Sequence, residues 1–135
     1  MSDKMIYTGA FVSTSLIGER FVGTLPKQIA NQHVTFAFKP DIDIQNVINR
    51  HLGEDVRITA IGYGNDGENE GLKVRVESES EELNKLIEAI DIPHITISVS
   101  ENGKPVNTAK LEFKDIPSFT FTGKIGFYNG REVIV

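Results

Sequence analysis

Short stretches that alternate apolar and polar residues run through most of this chain, and they restrict it to folds built mainly of β-sheet. They are rich in β-branched and aromatic residues, as strands are. Asn129-Gly130 separates the last two stretches and predicts a hairpin turn. We expect strands in the eight stretches MIYTGAFVST, HVTFAFKP, DVRITAIGYG, GLKVRVES, HITISVS, TAKLEF, FTFTGKIGFY and REVIV.

Two segments between the strands carry apolar residues at helical spacing instead. The first, PDIDIQNVINRHLG, has Asp41 available as an N-terminal cap and Gly53 as a stop. The second, SESEELNKLIEAI, has Ser78 and Glu81 at the spacing of a capping box. The polar stretch YGNDGENEG is typical of a loop. Because strands, helix, strands, helix and strands follow one another, the sequence predicts an α+β fold of mainly antiparallel sheet.

The length of the chain is that of a single domain, residues 1–135. No apolar run approaches the ~18 residues that a membrane helix needs, and the N-terminal MSDKMIYTGA lacks the apolar centre of a secretory signal. The absence of cysteine excludes a disulfide framework and a thiolate metal site. We therefore expect a cytoplasmic protein that binds no membrane, and the composition leaves its oligomeric state open.

The net charge of −5 limits the class of partner. A protein that coats long nucleic acid presents a broad basic face, so we expect no binding to long duplexes. A few basic residues in a cleft can still focus positive potential against the overall sign of the charge. A small nucleotide, or the end of an RNA strand, is compatible with this balance.

One short pattern occurs twice, in the stretches QHVTFAF and PHITISV. Each copy reads His, apolar residue, Thr, apolar residue, and the two copies hold two of the three histidines of the chain. Residues i and i+2 of a strand point to the same face. His33 and Thr35 are therefore expected on one face, and His94 and Thr96 on one face. If the two strands lie near each other, two imidazoles and two hydroxyls converge.

This set of side chains suits the cleavage of a phosphodiester without a metal. Imidazole has an unperturbed pKa of about 6.5, so one ring can accept a proton while the other donates one near neutral pH. Each such transfer contributes roughly 10²–10⁴-fold in rate. Threonine hydroxyls can hold the non-bridging phosphate oxygens. We predict His33 and His94 as catalytic residues and Thr35 and Thr96 as phosphate-binding residues.

The two tetrads HVTF and HITI resemble the signature motifs of the 2H phosphoesterase superfamily. The stretch ENGKPVNTAKLEF and the opening YTGAFV are similar to the cyclic phosphodiesterase domains of fungal and plant tRNA ligases. The resemblance implies two pseudo-symmetric lobes of mainly antiparallel sheet, with about two helices packed outside and the four motif residues facing each other across a central groove. This chain is shorter than many members, which implies trimmed outer lobes.

The resemblance also implies an activity. Members hydrolyse 2′,3′-cyclic phosphates to 2′-phosphates, open other cyclic phosphodiesters or cleave 2′-5′-linked oligonucleotides, and some viral relatives degrade nucleotide signals of host defence. We therefore expect a metal-independent cyclic phosphodiesterase that acts on an RNA end or on a small cyclic or 2′-5′ nucleotide. No cofactor is expected, because neither motif contains a carboxylate and threonine is a poor metal ligand.

Four further residues are candidates for substrate contacts. Tyr7 could stack on a base, and Lys104 and Asn107 lie in the loop after the second motif. Lys39 lies six residues after His33, and on an unbroken strand that even offset returns it to the same face. Each of these residues also has an ordinary interpretation as a surface lysine, a strand tyrosine or a turn former.

Two other residues receive a more structural interpretation. His51 lies near the predicted end of a helix, where a cation is favourable with the helix dipole, and we interpret it as structural. Tyr63, beside the polar loop, is a weaker candidate for stacking on a base.

Two other classes of function stay open at this point. A groove of the same composition could bind or sequester a nucleotide without turning it over. Alternatively, the histidines could be unrelated strand residues in a protein that only interacts with other proteins. The sequence does not assign the acid and the base between the two histidines, and it does not distinguish RNA repair from the degradation of a defence signal.

Overall fold

The computed structural model describes residues 4–12, 23–29 and 31–135 of the chain. The last two residues of the predicted strand MIYTGAFVST lie outside these ranges. In chain order the elements are β1 (Tyr7–Phe11), β2 (Lys27–Gln28), β3 (His33–Phe38), α1 (Ile42–Arg50), β4 (Asp55–Asn65), β5 (Asn69–Glu77), α2 (Glu81–Glu88), β6 (His94–Val99), a 3₁₀ helix (Pro105–Lys110), β7 (Lys114–Tyr128) and β8 (Val133–Ile134).

Six of the strands close into an antiparallel barrel. Their order is β1-β3-β6-β5-β4-β7, and β1 pairs with β7 as well as with β3, which completes the ring. The short strands β2 and β8 add to β6 and β7 respectively. The expected α+β class with mainly antiparallel sheet is therefore confirmed, with the sheet dominant.

The inward faces of the strands and one face of each helix share a single apolar core. Val34 of β3 and Ile95 of β6 are fully buried in it, and so is Ile48 of α1. Leu83 and Ile87 bring α2 into the same cluster. Burying a side chain of this size contributes about 1.5–3 kcal/mol, so the helices are held mainly by these few contacts.

Both predicted ends of the first helix are confirmed. The Asp41 side chain accepts a hydrogen bond from the Ile44 amide and caps α1, and Gly53 adopts φ +79° just after this helix. The predicted cap of the second helix is wrong by two residues. Ser80, not Ser78, accepts from the Leu83 amide. The Ser78 hydroxyl instead accepts from the Ser80 amide, one turn before the helix begins.

Two further segments differ from the sequence prediction. The stretch TAKLEF forms no strand, because its first residues belong to the 3₁₀ helix that begins at Pro105. The polar stretch at 63–71 is mostly strand, since β4 continues to Asn65 and β5 begins at Asn69. A tight turn joins them, with the Asp66 carboxylate accepting from the Asn69 amide.

The asparagine-glycine hairpin is confirmed between β7 and β8, where Gly130 adopts φ +99°. None of the helices in the described ranges combines the length and the apolar character that crossing a membrane requires.

Candidate functional site

The two His-x-Thr segments are neighbouring strands. β3 and β6 pair antiparallel with Val34 opposite Ile95. Since Val34 and Ile95 point into the core, the residues on either side of each point away from it. This register sets His33 opposite Thr96, and Thr35 opposite His94. The two histidines are then diagonal neighbours, a relation that spans about 7–8 Å in antiparallel sheet.

Both imidazoles are held in the same way. Nδ1 of His33 lies 2.7 Å from the Asn31 carbonyl oxygen, and Nδ1 of His94 lies 2.8 Å from the Ile92 carbonyl oxygen. A carbonyl oxygen only accepts, so Nδ1 carries the proton and donates in each ring. Nε2 of each ring has no hydrogen-bond partner among the residues described. In the neutral ring Nε2 therefore presents a lone pair, and in the protonated ring it presents a donor.

Among the residues that the structure describes, aromatic rings pack around His33 and not around His94. The Tyr7 ring stacks on the His33 imidazole with centroids 4.6 Å apart, and the Phe11 ring lies 5.2 Å away. Tyr7 also stacks on Tyr128 at 5.3 Å. Tyr7, predicted to stack on a base, thus lies beside the motifs, but its ring is already engaged with His33 and Tyr128.

These surroundings change the acid–base equilibrium of the His33 ring. Burial lowers the pKa of His33 below its usual 6.5, the hydrogen bond to Asn31 opposes this, and the nearby charge of His94 lowers it further. His33 is therefore mostly neutral at pH 7. Burial, followed by the proximity of Tyr128, raises the pKa of Tyr7, so this phenol stays protonated.

The two threonines are not equivalent. Thr35 is half-buried, and its hydroxyl has no hydrogen-bond partner within the described part of the chain. Thr96 is only 9% exposed. Its hydroxyl donates to Oγ1 of Thr108 at 2.8 Å and approaches the Pro105 carbonyl oxygen at 3.3 Å. Of the two motif threonines, Thr35 is therefore the one whose hydroxyl is free to donate to a ligand.

The 3₁₀ helix covers this end of the second motif. Asn69 of β5 donates to Oγ1 of Thr108 at 3.0 Å and to the Lys104 carbonyl oxygen at 2.7 Å. Gly71 leaves room for the contact, because a Cβ there would overlap Thr108. The candidate residue Lys104 directly precedes this helix, and the candidate Asn107 lies within it. The Lys104 side chain is exposed, and Asn107 is half-buried.

A bulge changes which residues face the site. In the pairing of β1 with β3, Thr8 lies opposite Ala37 and Gly9 lies opposite Thr35, so Phe36 has no partner on β1. Gly9 is needed at this point, because a Cβ there would overlap the Val34 carbonyl oxygen. Beyond the bulge, a residue of β3 shares the face of His33 when its offset from His33 is odd, as it is for Phe38.

The even-offset argument that predicted Lys39 on the His33 face does not apply for this reason. The strand is not unbroken: it contains the bulge, it ends at Phe38, and Lys39 adopts φ +49°. Phe38, which the sequence reasoning overlooked, is the residue that the bulge turns to the outer face. A glycine inside a strand pattern is a known sign of a bulge, so Gly9 was the available signal.

No model of a protein family matches this chain, and no curated protein does. The resemblance to the 2H phosphoesterases therefore stays a prediction that rests on the two motifs.

Below the second motif lies a buried carboxylate that the sequence reasoning also overlooked. Glu70 is 1% exposed. It accepts hydrogen bonds from the Tyr63 hydroxyl, from Oγ of Ser98 at 2.7 Å and from the Thr24 amide at 2.9 Å. These bonds tie the segment 23–29 to the barrel next to β6. Tyr63, a weaker candidate for base stacking, directs its hydroxyl to this carboxylate.

The third histidine lies elsewhere. His51 follows α1 and bridges two carboxylates, with Nδ1 2.7 Å from Glu54 and Nε2 2.7 Å from Glu82. Burial alone lowers the pKa of His51, but the bonds to Glu82 and Glu54 together raise it above the usual value. Arg50 also pairs with Glu82. His51 thus joins the end of α1 to α2, in agreement with the structural interpretation.

The described surface away from the motifs offers no second site of this kind. A surface depression on β4, β5 and β7 is lined by Asp55, Arg57 and Glu77 among others, and it includes no residue of either motif. In the ranges 4–12, 23–29 and 31–135 we find no group of three or more histidine and carboxylate side chains that could hold a metal ion.

Proposed function

We propose that this protein is a cyclic phosphodiesterase that uses His33 and His94 for general acid–base catalysis without a metal. The observation that carries the proposal is the matched pair of imidazoles. Both lie on the outer face of neighbouring strands, and in both a backbone carbonyl fixes Nδ1 as the donor and leaves Nε2 available. The substrate is a 2′,3′-cyclic phosphate at an RNA end or a small cyclic or 2′-5′ nucleotide.

In this proposal His33 is the base and His94 the acid. The lowered pKa of His33 keeps Nε2 unprotonated near neutral pH. It removes a proton from water, whose oxygen attacks phosphorus. The bond from phosphorus to the 3′-oxygen breaks, and that oxygen takes the proton from Nε2 of protonated His94. The product is a 2′-phosphate.

The threonines have different parts in this scheme. The unoccupied hydroxyl of Thr35 donates to a non-bridging phosphate oxygen and stabilises the charge that develops there. The Thr96 hydroxyl already donates to Thr108, so it can donate to the phosphate only by exchanging that bond. We retain Thr96 in the site because it lies opposite His33.

The 2H resemblance supplies the remaining parts of the proposal. Each half of the chain contributes one His-x-Thr strand and one helix, which fits two pseudo-symmetric lobes with a groove between them. The acidic net charge favours a small substrate over a long polymer. A cytoplasmic location is likewise a prediction from the sequence.

The decisive experiment is the hydrolysis of a nucleoside 2′,3′-cyclic phosphate in buffer that contains EDTA. We expect release of the 2′-phosphate at the same rate with and without the chelator. A rate that disappears on chelation would contradict the acid–base proposal and point to a metal enzyme. A parallel screen with 2′-5′ oligoadenylate and cyclic oligonucleotides identifies the preferred substrate.

A nucleotide-binding module is the second candidate, and the engaged hydroxyl of Thr96 favours it. A site with one unoccupied hydroxyl instead of two is less suited to stabilising a transition state. Substitution of His33 by Ala discriminates between the two functions. An enzyme keeps most of its nucleotide affinity and loses turnover, whereas a sequestering protein has no turnover to lose.

A further inference from the structure

An exposed aromatic ring lies on the same face as the two motifs. Tyr7 faces the outside of β1 and stacks on His33, and Phe38 lies directly opposite Tyr7 in the register. Residues directly opposite each other in a sheet share a face. The bulge at Phe36 is therefore what brings Phe38, an odd number of residues from His33, to the side of the histidines.

The Phe38 ring is left open to a ligand. It is 65% exposed, and no other aromatic ring in the described ranges stacks on it. The Lys39 ammonium lies 5.5 Å from the ring centroid. No carboxylate in the same ranges pairs with Lys39, so this positive charge is available beside the ring. The conformation of Lys39, with φ +49°, turns the chain sharply at this point.

The separation from the motif residues suits a nucleotide. Thr35 lies opposite Gly9 and Phe38 lies opposite Tyr7, so the bulge shortens the separation of Thr35 and Phe38 to two residues of β1, about 7 Å. A phosphate held between His33, His94 and Thr35 would leave its ribose and base extending along β3 toward Phe38. Aromatic rings accept any base through its π-face.

We propose that Phe38 and Lys39 form a nucleobase subsite, in which a base of the substrate stacks on the Phe38 ring and the Lys39 ammonium attracts an electronegative group of the same nucleotide. The inference rests on the proposed function for the position of the phosphate. It narrows the substrate class to phosphodiesters that carry a base, and excludes cyclic phosphates of simple polyols as good substrates.

The test compares two ligands in equilibrium binding by calorimetry. Adenosine 2′-monophosphate probes the phosphate site and the subsite together, and inorganic phosphate probes the phosphate site alone. We expect Phe38→Ala to weaken binding of the nucleotide about 5- to 150-fold, the range for removal of one base stack, and to leave phosphate binding unchanged. Phe38→Tyr should restore most of the affinity.

The matched control is Val106→Ala on the 3₁₀ helix, which removes another exposed apolar side chain (73% exposed) and should change neither affinity. Equal loss for both ligands in Phe38→Ala, or no loss for the nucleotide, would overturn the subsite, as would a wild-type protein that binds neither ligand. Circular dichroism of each variant checks that the fold is kept.

Failure of the subsite and failure of the proposed function give different results. If Phe38→Ala hydrolyses adenosine 2′,3′-cyclic phosphate as fast as the wild type, the subsite proposal is overturned and the proposed enzymatic activity is supported. If the wild type shows no turnover but its nucleotide binding depends on Phe38, the subsite proposal is supported and the proposed enzymatic activity is overturned.

Discussion

Val34 of β3 lies opposite Ile95 of β6, and this one antiparallel pair brings together motifs that are separated by both helices in the chain. Both side chains are completely buried. The residues that flank them must consequently point outward, so each histidine gains a threonine of the other motif as its neighbour. The packing of two apolar residues thus organises the polar face above them.

The first prediction concerns the two motif histidines. Substitution of either His33 or His94 by Ala should lower kcat by roughly 10²–10⁴-fold, because each removes one proton transfer. The measurement is steady-state hydrolysis of a 2′,3′-cyclic phosphate, with product affinity determined in parallel. His51→Ala is the control, since His51 lies at the end of α1 and should leave kcat unchanged. Retention of full activity in either motif variant would refute the catalytic assignment.

The second prediction separates the two threonines. Thr35→Val should lower kcat/KM by about 10²-fold, as loss of a donor to the developing charge does, with little change in stability. Thr96→Val should cost about 1 kcal/mol in the free energy of unfolding, because it removes the bond to Thr108. Urea denaturation and kinetics on both variants check this. The reverse pattern would mean that Thr96 is the donor to the phosphate.

The third prediction is a pH dependence of stability at His51. The bonds to Glu54 and Glu82 raise the pKa of His51 in the folded state above its unfolded value of about 6.5. The stabilisation is therefore complete below pH 6.5 and is lost as pH rises through the raised pKa. The wild type should exceed His51→Gln in urea midpoint at pH 5.5, and the gap should narrow at pH 8.5. A gap that widens with pH would contradict this sign.

The fourth prediction concerns the buried carboxylate of Glu70. Glu70→Ala removes the carboxylate to which the Ser98 hydroxyl, the Thr24 amide and the Tyr63 hydroxyl donate, and should cost roughly 2–4 kcal/mol. Glu70→Gln should cost less, because the amide oxygen can accept from Thr24 and Ser98 while its nitrogen donates to Tyr63. Denaturant unfolding of both variants provides the comparison, and equal costs would argue against the hydrogen-bond network.

Local signals in the sequence were sufficient where structure depends on neighbours in the chain. Asp41 caps its helix, and Asn129-Gly130 makes its hairpin. The stretch TAKLEF was misassigned because Thr108 is held by its hydrogen bonds to Thr96 and Asn69, which are distant in sequence. Closure of the barrel was not predicted for the same reason.

The candidate site was predictable in its residue types but not in its surroundings. The alternation rule placed His33 and Thr35 on one face, and the register places them as expected. The same rule does not apply to Lys39 and overlooked Phe38, because a bulge adds one residue without any marker in β3 itself. The difference between Thr35 and Thr96 depends on the 3₁₀ helix, whose position no periodicity in the sequence reveals.

The pairing of Tyr7 with Tyr128 has a consequence for how the chain reaches its native state. These partners are roughly 120 residues apart, and such long-range pairing is slow because the intervening chain must be ordered first. During translation, β1 can pair with β7 only after β7 has been synthesised. Until then the edge of β1 that pairs with β7 stays open, and nascent chains are exposed to association with one another through it.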